Sequence, residues 1–176
     1  MVNLRVQSLS KIKTLFFASI FTALSVLTPL AAHYFGGVAA GRLFLPMHFF
    51  VLAAGLVLGW RGGLAVGILT PLISYSASGM PVVAVLPFVL LELAAYGFFA
   101  GLLQERIKNV WAALAGALIL GRVILFLGIA VLPTKLVASQ YVVSAMLNGW
   151  RGVALQVLLV PVAVVFVRRF LRDEWV

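Results

Sequence analysis

The sequence predicts an all-α integral membrane protein, a bundle of six transmembrane helices with both termini cytoplasmic. Three observations predict it. Hydrophobic residues make up 64% of the chain and charged residues only 10%, against roughly 25% charged in soluble domains. The apolar residues fall into six runs divided by turns or short charged loops. The cations gather in alternate gaps between those runs. A spanning helix takes about 20 residues, so six passes use roughly 120. The remainder of the 176 residues serves loops and tails, so residues 1–176 are expected to form a single transmembrane domain.

The first run, residues 14–35, follows Lys11 and Lys13 and is too long for the core of a cleaved signal; it is expected to be a retained helix. The second, 46–60, ends at Trp60-Arg61-Gly62-Gly63, a turn sequence. The third, 64–78, is interrupted by Pro71 and ends at Gly79-Met80-Pro81, again a turn. The fourth run is 82–103, followed by the polar loop 104–109. The fifth, 110–132, is closed by Pro133-Thr134-Lys135, and the sixth, 141–167, by Arg168-Arg169. With the N-terminus inside, Arg5, Lys11, Lys13, Arg61, Arg106, Lys108, Arg168, Arg169 and Arg172 are internal, and only Arg42 and Lys135 external. That asymmetry fixes the expected orientation.

The composition also excludes functions. Without cysteine there is no disulfide, thiol nucleophile or thiolate metal site. The net charge of +9 belongs to membrane orientation, because no basic run is interleaved with aromatics for nucleic acid. No Walker A loop, Gly-x-Ser-x-Gly elbow or HExxH is present, and no His/Asp/Glu spacing suits a metal. Ser74, Ser76 and Ser78 lack a histidine base in sequence context. The chain is therefore expected not to be an enzyme and to need no cofactor.

Three ionisable residues lie inside apolar runs: Glu92, Arg122 and Arg151. Counted from the outer ends of their runs, each is ten residues deep, or about 15 Å. A charge at that depth costs about 2.5–3.5 kcal/mol and usually faces the interior and pairs. Glu92 can neutralise one arginine, leaving one positive charge over. Two readings stay open: a buried Arg–Glu–Arg cluster that locks three helices, or a ligand-facing cluster. Asn148, Trp150 and Gln156 on the sixth run and Tyr96 on the fourth are its expected neighbours, and His48 sits near the outer end of the second. Trp150, far from either interface, could stack on a flat ring. His33 is a weaker candidate. Small residues four apart in the first run, Ala18 with Thr22 and Ser19 with Ala23, would let another helix approach; Ala113, Ala117 and Gly121 make an internal face of this kind beside Arg122.

The stretch Leu45-Pro46-Met47-His48, Ala54-Gly55, Leu58-Gly59, Gly67, Pro71, Ser78-Gly79-Met80-Pro81, Leu91-Glu92-Leu93-Ala94 and Tyr96-Gly97 resembles the substrate-binding S-components of energy-coupling factor (ECF) vitamin transporters. The resemblance covers about residues 40–103. It implies a vitamin or precursor bound from outside among helices four to six. It also implies docking through the first helices on a coupling membrane protein with two ABC-type ATPases, and residence in a bacterial or archaeal cytoplasmic membrane. On that reading Glu92, Tyr96, Arg122, Asn148, Trp150 and Arg151 form the substrate site, closed by His48 and the loop 36–42. Ala18, Ser19, Thr22 and Ala23 form the partner face. The alternative is a non-catalytic membrane scaffold whose Arg-Glu-Arg cluster is purely structural.

Overall fold

The computed structural model describes residues 10–44, 46–132 and 138–173. Five helices follow in chain order: α1 (Lys11–Phe44), α2 (Pro46–Ser78), α3 (Leu86–Ile107), α4 (Val110–Val131) and α5 (Ala138–Asp173), with no strand among the described residues. All five are long and apolar enough to cross a membrane. That is one fewer than expected. The difference lies in α2, where the second and third expected passes, 46–60 and 64–78, form one element broken at Gly59.

The break has a clear cause. Gly59 takes φ 80° and ψ 179°, a conformation open to glycine and strained for other residues. In an unbroken helix the Trp60 N–H would bond to the carbonyl of Leu56, four residues back. Here the Trp60 N–H donates instead to Glu105 Oε1 of α3 at 3.1 Å, and the Leu56 carbonyl accepts from Arg168 Nη2 of α5. Both backbone groups freed by the break are thus satisfied, as an apolar medium requires. Arg168, counted among the cytoplasmic cations on sequence grounds, is 4% exposed.

The two arms of α2 then close on each other. A Cβ placed on Gly63 would lie 2.5 Å from the Gly55 Cα, although eight residues of straight helix would separate them by about 12 Å. The same Cβ would run into the Gly97 carbonyl of α3, and one on Gly97 would run into that of Gly63. Glycine at 55, 63 and 97 therefore lets three backbones meet where any side chain would hold them apart. Val51, Leu52, Leu56, Val66, Leu93 and Ala100 fill the core beside this contact.

Other boundaries differ from expectation too: α3 runs on to Ile107 through most of the expected loop 104–109, and α5 covers Ala138–Asp173 rather than 141–167. The fourth pass begins at Leu86 rather than residue 82, because Val82–Val85 form a turn and Pro87 occupies the first turn of α3, where a missing N–H costs nothing. Glu92 is then six residues into its helix, about 9 Å. The first pass continues as helix to Phe44, through the expected loop 36–42; the side chains there, and that of His33, lie outside the described residues, as does the turn at 133–137. Asn109 caps α4, its Oδ1 accepting from the N–H groups of Trp111 and Ala112.

Candidate functional site

The fourth run supplies a carboxylate and a phenol four residues apart, and helical pitch puts them on one face. Tyr96 donates its hydroxyl to Glu92 Oε1 at 3.0 Å. From α4, Arg122 Nη1 approaches the same oxygen at 2.7 Å. From α2, His48 Nε2 lies 3.6 Å from Glu92 Oε2, and its ring meets Tyr96 edge to face at 5.6 Å between centroids. Glu92 is 5% exposed and His48 9%. His48 Nδ1 has no hydrogen-bond partner. Gly121 makes the arrangement possible, since a Cβ there would strike the Tyr96 ring. Ala113, Ala117 and Gly121 are buried together on α4, forming the internal face expected of them.

The cluster therefore joins three helices, but not the expected three. Its third cationic or neutral partner is His48 of α2, and Arg151 of α5 stands outside it. Arg151 is exposed, its guanidinium 5.4 Å from the centroid of the neighbouring Trp150 ring. The reason is rotational. Gly149, Gly152 and Gln156 form the buried side of α5 here, and at 100° per residue position 151 falls well away from them. Asn148 is likewise exposed and its Nδ2 donates to the Ser144 carbonyl of its own helix at 2.8 Å. Gln156 is buried at 2%.

Beside the cluster, a groove of about 570 Å³ runs between α4 and α5. Tyr96 and Arg122 are its polar lining, Trp150 stands on the α5 wall, and Leu118, Phe126 and Met146 are among its apolar walls. Of the expected site residues, the structure thus brings Tyr96, Arg122 and Trp150 to one cavity. Glu92 holds Arg122 from behind, with His48 beside the Glu92 carboxylate, and neither Glu92 nor His48 lines the groove. Asn148 and Arg151 do not line it either. The apolar walls were not anticipated: in a chain this greasy, no residue-type signal separates a groove-lining Phe126 from one facing lipid.

The proposed partner face on α1 divides. Thr22 is buried at 6% and Ala18 packs on the core, whereas Ser19 and Ala23 are exposed. Ala18 and Thr22 therefore face the bundle. Only Ser19 and Ala23, flanked by exposed Leu15, Phe16, Ile20 and Leu24, are available to another helix.

The model of one family, ECF transporter, substrate-specific component, matches residues 13–167. Comparison with curated proteins and with solved structures gives no match. The chain belongs to that family: it is a transporter component that binds substrate, and not an enzyme.

Proposed function

We propose that this substrate-specific component binds a small vitamin-like compound or vitamin precursor in the groove between α4 and α5. The single observation that carries the proposal is the groove itself, where Arg122, Tyr96 and Trp150 meet in one cavity. Arg122 supplies hydrogen-bond donors for a carboxylate, phosphate or carbonyl, and Trp150 a ring on which a flat group stacks. Glu92 positions Arg122, since the 2.7 Å ion pair holds the guanidinium at the end of a long, flexible side chain.

Transport would be energised elsewhere, by two ABC-type ATPases on a coupling membrane protein. The exposed Ser19 and Ala23 support α1 as the docking helix, because small residues permit close helix approach. The nine-to-two distribution of cations supports cytoplasmic termini in a bacterial or archaeal cytoplasmic membrane if the two arms of α2 count as separate crossings.

Two measurements test the reading together. Gentle purification of the full chain from its own cell membranes brings down a coupling protein and ATPases, and native mass spectrometry shows one retained small molecule. Recovery of the chain with unrelated membrane proteins and no retained mass supports a scaffold instead, the reading favoured by the complete internal pairing of Glu92.

A further inference from the structure

We infer that the end of the bundle where α2 breaks and α3 turns into α4 binds the headgroup of an anionic phospholipid, through Arg61, Arg106 and Lys108. None of the three lines the α4–α5 groove, and the inference stands whether or not that groove holds the substrate.

The fold brings the three cations to one place. The Trp60 N–H donates to Glu105 Oε1 at 3.1 Å, and a Cβ on Gly101 would strike the Trp60 backbone. The α2 break therefore lies against the last turns of α3. Arg61 follows Trp60 directly and holds its guanidinium 5.0 Å from the centroid of that ring. The ring is itself seated edge to face on Phe98 of α3, 5.7 Å between centroids. Arg106, next to Glu105, stands in the last turn of α3, and Lys108 ends the helix in the left-handed region at φ 58°. All three cations are exposed.

They lack a counter-charge. The described side chains include two carboxylates. Glu92 is paired with Arg122 in the interior, and Glu105 is directed to the Trp60 N–H. Neither forms an ion pair with Arg61, Arg106 or Lys108. The negative end of the α3 dipole accounts for Arg106 and Lys108, but not for Arg61, which stands on another element. Three like charges on adjoining elements repel, and an anion held among them removes that repulsion.

The surroundings select the anion. Ile107 and Trp111 beside the cations are 49% and 55% exposed, and Trp60 is half-buried. Membrane-capable spans end here, and tryptophan favours the junction of hydrocarbon and headgroups. A free phosphate would meet the cations and leave these apolar groups in water. A phospholipid covers both, its phosphate on the cations and its acyl chains on the apolar side chains. Asn109 already takes the N–H groups of Trp111 and Ala112, so binding falls to the side chains, where substitution can reach it.

The test is native mass spectrometry of the full chain in neutral detergent. It compares retention of dioleoyl phosphatidylglycerol with that of dioleoyl phosphatidylcholine, which has the same acyl chains. One basic side chain near an anionic surface is worth about fivefold. The parent should therefore hold the anionic lipid about tenfold or more tightly. The preference should shrink as ammonium acetate rises from about 0.1 M to about 1 M, which screens exposed charges. The triple variant Arg61→Gln, Arg106→Gln, Lys108→Asn should abolish it; asparagine tolerates the left-handed region. Arg61→Gln alone should cost about fivefold, whereas Arg151→Gln, which removes the same charge elsewhere, should cost nothing. Millimolar glycerol phosphate, a headgroup without chains, should not displace the lipid.

Equal retention of the two lipids by the parent, or a preference that survives the triple substitution, would overturn the inference. Equal losses in Arg61→Gln and Arg151→Gln would reduce it to net charge and overturn it too. Displacement by glycerol phosphate would assign the cations to a free anion instead. A triple variant that keeps its lipid preference but loses co-purified proteins would make this surface a protein interface.

Discussion

The two halves of this bundle are packed by opposite means. Around α2 and α3, glycines bring backbones into contact, and the groups freed by the Gly59 break are taken up by Glu105 and Arg168. Between α4 and α5, large side chains stand apart and leave a cavity of about 570 Å³. The Glu92–Arg122 pair lies on the seam, its carboxylate in the close-packed half and its guanidinium in the open one. The contrast separates scaffold from proposed site: one half is close-packed with no room, and the other has a cavity in which a ligand could sit. Substitutions on the two sides should therefore differ in kind as well as size.

The largest loss is expected at the seam. Glu92→Ala leaves Arg122 without its counter-ion, and removing one member of a buried pair costs about 3–5 kcal/mol. Thermal unfolding in detergent should show it, with partial recovery in the double variant Glu92→Gln with Arg122→Leu. A Glu92→Ala protein as stable as the parent would mean that the pair is solvated and the seam open. Next comes the close-packed half. Gly97→Ala places a methyl group against the Gly63 carbonyl, with no flexible side chain to give way; overpacking of this sort costs about 1–3 kcal/mol. The same change at Gly116, where only the Leu103 side chain is met, should be nearly silent. Equal effects at the two positions would refute the backbone contact as the source of rigidity.

A comparable effect belongs to the break. Arg168→Met keeps the length and apolar stem but strands the Leu56 carbonyl, a loss of about 1.5–3 kcal/mol for a bond from a charged donor. Glu105→Gln keeps a side-chain oxygen that can accept from the Trp60 N–H, so it should cost less. Unfolding midpoints of the two variants decide the order. If Arg168→Met proves neutral, the break is held by the glycine contact alone.

How much of this was legible beforehand follows from what sequence records. Long apolar runs and the turn at Gly79-Met80-Pro81 are local and legible; the end of α3 is not, since the helix runs on to Ile107 through residues expected in the polar loop 104–109. That Glu92 pairs with an arginine was legible because a charge in an apolar run needs a partner, though not that it would be Arg122, and Tyr96 because it is one helical turn away. His48 and Arg151 show the limit. Depth along a helix is set by counting, and rotation about it is set by what the other helices bury. Arg151 lies in an apolar run yet faces away from the buried side of α5, whereas His48, near a helix end, is carried into the centre by α2. The expected sixth span was lost for the same reason: Trp60-Arg61-Gly62-Gly63 reads as a loop, and only Glu105 and Arg168, remote in sequence, allow helix to run up to Gly59 from both sides.

The smallest expected change in stability comes from α1, and it separates packing from docking most sharply. Ala18 and Ser19 are adjacent and nearly the same size, but helical pitch turns them about 100° apart. Ala18 packs on the core beside buried Phe21 and Thr22, while Ser19 is exposed. Ala18→Leu must push into a filled interior and should lower stability by about 1–3 kcal/mol. Ser19→Leu adds an apolar side chain to a surface already bearing Leu15 and Phe16, and should move the unfolding midpoint hardly at all, within about 0.5 kcal/mol. If α1 docks on the coupling protein through Ser19 and Ala23, that same silent substitution should abolish co-purification of the partners, because a leucine holds the two helices apart where a serine lets them touch. A Ser19→Leu chain that keeps both its stability and its partners would move the docking surface off α1 and leave its small residues with the single task, at Ala18 and Thr22, of seating the helix on α2.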